Sequence, residues 1–136
     1  MSDLTLEATV ENLPKVLEFV DLHLEEHDCP PRAQMQIDIA VEELFVNIAH
    51  YAYAPEVGHA TVRVEIQPEP LAVIITFIDN GMPYDPLAKE DPDITLSAED
   101  RTIGGLGIYM VKKSMDDITY EYRDGQNILA IKKGLV

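Results

Sequence analysis

The longest stretch free of both glycine and proline lies between Pro31 and Pro55, and it commits the chain to one long helix. Within it Ile37, Val41, Leu44 and Ile48 recur at intervals of three and four, the spacing that gathers apolar side chains on one helical face. The helix is expected from Arg32 to about Tyr53, stopped by Ala54-Pro55. A helix with one apolar stripe needs a second layer to cover it. The sequence that follows offers one: residues 61–66 and 71–79 are rich in β-branched and aromatic residues, and Gln67-Pro68-Glu69-Pro70 between them suits an antiparallel hairpin.

The remaining elements fit around this pair. Leu4, Leu6 and Ala8 alternate with polar residues as in a strand. Asn12 is placed to cap a helix with Pro14 in its first turn, and Val16, Leu17, Phe19, Val20 and Leu24 form its apolar face to about His27, before Pro30-Pro31. A further helix is expected over residues 105–115. Two strands, 118–123 and 127–132, then flank an Asp124-Gly125 turn. Residues 82–104 carry Pro83, Pro86, Pro92 and six acidic groups without periodicity. A loop of that length inside a domain usually serves a function.

Length and charge narrow the function. A chain of 136 residues, 46% of them hydrophobic, is expected to form one domain over residues 1–136. Ten Lys and Arg stand against 25 Asp and Glu, for a net charge of −15, and residues 1–100 hold 4 basic groups against 21 acidic ones. Such a field repels phosphate backbones, so direct nucleic-acid binding is not expected; it suits a basic protein partner, and equally it can serve only to keep the chain in solution. The longest apolar run, residues 71–78 with Thr76 inside it, falls well short of the roughly 18 residues of a membrane span. Met1-Ser2-Asp3-Leu4 is acidic where a secretory signal is basic, and Cys29 is the single cysteine. A cytoplasmic protein without membrane attachment is the expectation.

Four constellations could carry chemistry. His23-Leu24-Glu25-Glu26-His27 matches the H-x-x-E-H pattern of inverted zinc proteases, with Cys29 nearby, yet such a site also needs a distal third ligand and a cleft, and the segment reads equally as a solvated helix end. Glu43 and Asn47 stand four apart on one side of the long helix. A carboxamide oxygen and a carboxylate so placed can serve one Mg²⁺ ion and deprotonate a neighbouring hydroxyl. Asp79-Asn80-Gly81 ends a strand that reads as buried; the carboxylate can accept from an exocyclic amine, and Gly81 lets a ring approach the backbone. Gly104-Gly105-Leu106-Gly107 opens a helix whose free N–H groups can hold phosphate. Each of the last three also has an ordinary structural reading, as a polar helix stripe, an Asn-Gly turn or a closely packed helix entry.

In order, Val41-Glu42-Glu43-Leu44-Phe45-Val46-Asn47, Asp79-Asn80-Gly81-Met82-Pro83 and the stretch from Gly104 to Met115 resemble the three boxes of the GHKL ATPase superfamily. The likeness covers roughly residues 5–133 and is greatest to anti-sigma factor serine kinases, whose boxes read E-x-x-x-N, D-x-G-x-P and G-x-G-hydrophobic. It implies an α+β two-layer sandwich of the Bergerat type, with helices on one face of a mixed, mainly antiparallel sheet and an ATP lid at about residues 85–104. It further implies ATP and Mg²⁺ as cofactors and Asn47 as the metal ligand. Glu43 would be the catalytic base, Asp79 and Gly81 would meet the adenine, and Gly104, Gly105, Leu106 and Gly107 the phosphates. The implied activity is transfer of phosphate to a serine on an anti-anti-sigma (STAS-like) domain, alongside sequestration of a sigma factor. A nucleotide-gated binding protein without kinase activity is the alternative, and a homodimer paired through the first strand is open to it. Asn127 stands where relatives often carry a threonine near the adenine, and Arg101 in the lid could steady the transferred group. A phospho-accepting helical hairpin, as in sensor histidine kinases, is not expected in 136 residues.

Overall fold

The computed structural model describes residues 1–88 and 105–136. Five strands and three helices follow the expected order: β1 (Ser2–Glu7), α1 (Leu13–Glu26), α2 (Pro31–Asn47), β2 (His59–Pro68), β3 (Leu71–Asp79), α3 (Gly105–Ser114), β4 (Asp117–Arg123) and β5 (Gln126–Gly134). The strands form one sheet in the order β1-β2-β3-β5-β4. Every pairing in it is antiparallel, which corrects the expectation of a mixed sheet. The physical reason is the last hairpin. The crossover through α3 returns β4 in the same direction as β3, but β5 folds back between the two and pairs with both, so the two parallel strands never touch.

Alternation along the strands sends one face of the sheet into the core. Val62 and Val64 of β2, Val73, Ile75 and Phe77 of β3, and Ile131 of β5 are buried, while Thr61, Arg63, Thr76 and Ile78 occupy the other face. Against the buried face lie Val16, Val20 and Leu24 of α1 and Ile37, Val41, Leu44 and Phe45 of α2. Each fully buried aliphatic or aromatic side chain of this kind contributes roughly 1.5–3 kcal/mol. α2 is central, packed on both α1 and α3. This is the α+β two-layer arrangement that the sequence implied.

Two local readings change, and the end of α1 gains its detail. Asn12 does not cap α1 with its side chain; its Nδ2 donates to the Glu7 carbonyl at 2.9 Å and fastens the end of β1, while Val10–Asn12 forms a 3₁₀ turn. α1 closes at Asp28, whose φ of 53° is left-handed, with the Asp28 and Cys29 N–H groups turned back to the carbonyls of Glu25 and Leu24. The long helix is regular only to Asn47 and continues as a π-helical turn over Ile48–Ala52. Such widened turns recur where a helix carries functional side chains. No helix among the described residues is long and apolar enough to cross a membrane.

Candidate functional site

The rows of buried residues on β3 and β5 end in polar ones. Asp79 continues the series Val73, Ile75, Phe77, and Asn127 precedes Leu129 and Ile131; the two are register partners and the only buried polar residues among those described. Asp79 Oδ1 accepts from Gly81 N–H and from Asn127 Nδ2, both at 2.9 Å. Burial pushes the Asp79 carboxyl above its ordinary value, and these two donors pull it back. Asn127 is bonded on all sides: Nδ2 also donates to the Met82 carbonyl at 2.8 Å, while Oδ1 accepts from Tyr84 N–H at 3.1 Å and from the Tyr120 hydroxyl.

The turn after Asp79 is held from below. Met82 N–H donates to the Ala52 carbonyl at 3.0 Å, and the Tyr53 hydroxyl accepts from Asn80 N–H at 2.7 Å while donating to the His59 carbonyl at 2.6 Å. A side chain at Gly81 would collide with the Ala52 backbone, so glycine is required here for close packing on the π turn, before any ligand is considered. Above this floor is a pocket between the layers, walled by Leu44, Ile48, Ala52, Phe77 and Leu129, with Asn47, Asp79, Tyr84, Tyr120 and Asn127 supplying its polar atoms. An apolar slot with few polar groups at its end suits a flat heterocycle with a hydrogen-bonding edge. No bond among the described residues engages Asp79 Oδ2.

One helical turn before Asn47, Glu43 opens on the adjoining cleft with Val46, Gly107 and Met110. Asn47 lines the pocket and hydrogen-bonds Glu43, so it joins the two compartments. Burial raises the Glu43 carboxyl above the usual range, the bond from Asn47 lowers it, and the nearby Glu42 charge adds to the rise. A side chain at Gly107 would strike the Glu43 carboxyl group, which places the first turn of α3 directly against it. Gly105 and Leu106 lie in that same turn. The structure therefore gathers Glu43, Asn47 and Gly107 in one place, and Asp79, Gly81 and Asn127 beside it. Gly104, Arg101 and most of the expected lid, including everything from 89 to 104, lie outside the described residues; at the lid's root Asp85 Oδ1 accepts from Leu87 N–H at 2.9 Å.

Sequence reasoning missed Tyr53 and Tyr120, whose hydroxyls act through contacts distant along the chain and leave no periodic signal. The zinc-protease pattern does not assemble. His23 and His27 direct Nδ1 to the carbonyls of Phe19 and His23 within α1, and no three metal-ligating side chains come together among the described residues.

Comparison with known proteins gives the family. Residues 6–133 match the family described as the histidine kinase-like ATPase domain. The chain is 29% identical over 101 residues to the serine/threonine-protein kinase BtrW of Bordetella bronchiseptica, covering 74% of this chain and 70% of that protein. It is 32% identical over 98 residues to the serine-protein kinase RsbW of Bacillus cereus and 31% to that of Bacillus mycoides, covering 69% of this chain and 60% of each relative. With a match over nearly its whole length, and a polar-ended pocket and helix entry where the three boxes stand, the chain belongs to the GHKL-type family of histidine kinase-like ATPase domains.

Proposed function

We propose that this protein is an ATP-dependent serine/threonine kinase of a partner-switching system, acting on a serine of an anti-anti-sigma (STAS-like) domain and binding a sigma factor in alternation. The observation that carries the reading is the placing of Glu43: a half-buried carboxyl of raised pKa, bonded to Asn47 and set against Gly107 beside the pocket. A carboxylate shifted upward accepts a proton more readily near neutrality. The kinase names of the relatives support it, and the acidic surface suits a basic partner steered by charge.

In this reading the adenine enters the apolar pocket with its exocyclic amine toward Asp79, and the phosphates lie toward α3. Mg²⁺ supplies neutralisation of phosphate charge, and the carboxamide oxygen of Asn47 is the donor on this chain that fits it: a hard oxygen between the pocket and the catalytic cleft. Glu43 takes the proton from the serine hydroxyl as its oxygen forms a bond to the γ-phosphorus and the bond to ADP breaks. The setting is cytoplasmic, in keeping with one cysteine and with the phosphoryl donor.

The test is transfer of labelled γ-phosphate to an anti-anti-sigma domain by the wild type and by Glu43→Gln. The variant is expected to bind nucleotide within about threefold of the wild type and to lose transfer by about 100-fold or more. Undiminished transfer would remove Glu43 from its role.

A further inference from the structure

The amide of Asn127 has a single orientation. The Met82 carbonyl needs a donor and the Tyr84 N–H needs an acceptor, so Nδ2 faces Met82 and Oδ1 faces Tyr84, and the second Nδ2 proton then points to Asp79. Tyr120 completes the set with its hydroxyl on Oδ1. Asn127 thus uses two donors and two lone pairs, none of them exposed to choice. The oxygen of Asp79 that it touches must act as an acceptor. A hydroxyl side chain, with one proton to give, could not reproduce this pattern.

We propose that Asn127 is a positioning residue for base selection: seated by the backbone at the lid root and by Tyr120, it engages Asp79 Oδ1 and leaves Oδ2 as the acceptor that reads a 6-amino purine and turns away a 6-oxo purine. This rests on the nucleotide-binding reading given above. With its amide in place, Oδ1 is held as an acceptor and the carboxyl is drawn toward its charged form, in which a 6-oxo group would bring two acceptors face to face. Without it, a buried carboxyl loses one of its two donors and takes up a proton at higher pH, and its protonated form can donate to a 6-oxo group. The other groups near Asp79 do not compete for that proton. Tyr53, at the end of the π turn, and Tyr120, on β4, are both pushed above the usual tyrosine range by burial and stay neutral, Ala60, Ala52 and Asn47 carry no charge, and Asp85 adds a negative charge on the Tyr120 side.

Equilibrium binding of ATP and inosine triphosphate to the full chain, from pH 5.5 to 8.5, tests this. The ratio of the two constants cancels titration of the triphosphate. The wild type is expected to prefer ATP with a nearly flat ratio. In Asn127→Ala the preference should fall by about tenfold, the worth of a hydrogen bond to a charged group, and fall further as the pH drops. Tyr120→Phe, which leaves Asn127 with three of its bonds, should move the same way by a smaller factor and serves if the alanine variant does not fold. Folded variants that keep the wild-type ratio and pH profile would overturn the role of Asn127 alone. A wild type that binds neither nucleotide would overturn the nucleotide reading and this assignment with it.

Discussion

Gly107 and Glu43 show how one missing side chain can set the position of a carboxylate. The Cβ of an alanine at 107 would fall on the carboxyl carbon and both oxygens of Glu43, so the carboxylate must swing aside. Glu43 is only half-buried and has solvent to turn to, so the fold itself loses little; alanine even gains about 0.5–1 kcal/mol over glycine within a helix. Stability and activity should therefore separate in Gly107→Ala. The melting temperature is expected to stay within a degree or two of the wild type or rise, while phosphate transfer falls by about 100-fold, as for a misplacement of roughly 1 Å. A transfer assay run beside a thermal melt checks both, and a fully active variant would show that Glu43 does not work from this position. At this scale much was legible in the sequence. The i, i+4 spacing put Glu43 and Asn47 on one face, and Asp79 stood out as a carboxylate closing an apolar strand. The partners that complete the site were not: Tyr53 and Tyr120 reach it from other elements, and Asn127 meets Asp79 only because β5 pairs with β3 in that register.

At the scale of elements, the seam between α1 and α2 holds a pair of acids that no spacing rule reveals, since it depends on how the two helices cross. Asp21 and Asp38 each bury an oxygen without a donor. Burial, a hydrogen bond with Asp21 that needs a shared proton, and the charges of Asp21 and Glu25 push the Asp38 carboxyl from 3.8 to about 8. The folded state therefore binds a proton that the unfolded chain releases near 4. The stability from that proton is fully present below about pH 4 and is lost as the pH rises through about 8. Asp38→Asn keeps a donor for Asp21 at every pH, so its unfolding free energy should exceed that of the wild type at pH 9, by about 1 kcal/mol once solvent screening is discounted, and the gap should close toward pH 5. Urea unfolding at the two pH values decides it; equal curves at pH 9 would mean that the two carboxyls are solvated apart. The strands were easier to read than this seam. β3 begins and ends where Pro70 and Asn80-Gly81 said it would, whereas β2 extends two residues beyond its β-rich run at each end because β1 and β3 pair with it there. The π turn had no signal, for it changes hydrogen bonding without changing the apolar pattern.

Across the whole molecule, the pocket is where the two layers meet. Its walls come from α2 and the π turn on one side and from β3, β4 and β5 on the other, with the lid root at its mouth. A ligand there touches residues that must separate when the domain unfolds, so its binding energy adds to global stability instead of fastening one loop. At about 100 times its dissociation constant, nucleotide should add about 2.7 kcal/mol, a rise of several degrees for a domain of this size. The two ends of the pocket make separable contributions. Asp79→Asn replaces the acceptor of the base end with an amide and should remove most of the rise with or without Mg²⁺. Asn47→Ala should leave the metal-independent rise and remove the increment that Mg²⁺ adds, because its carboxamide is the proposed metal donor between pocket and cleft. Thermal melts of the three proteins with ATP or ADP, with and without Mg²⁺, separate the cases. A Mg²⁺ increment that survives in Asn47→Ala would move the metal to another donor, and no rise for the wild type at millimolar nucleotide would leave the pocket without its proposed ligand.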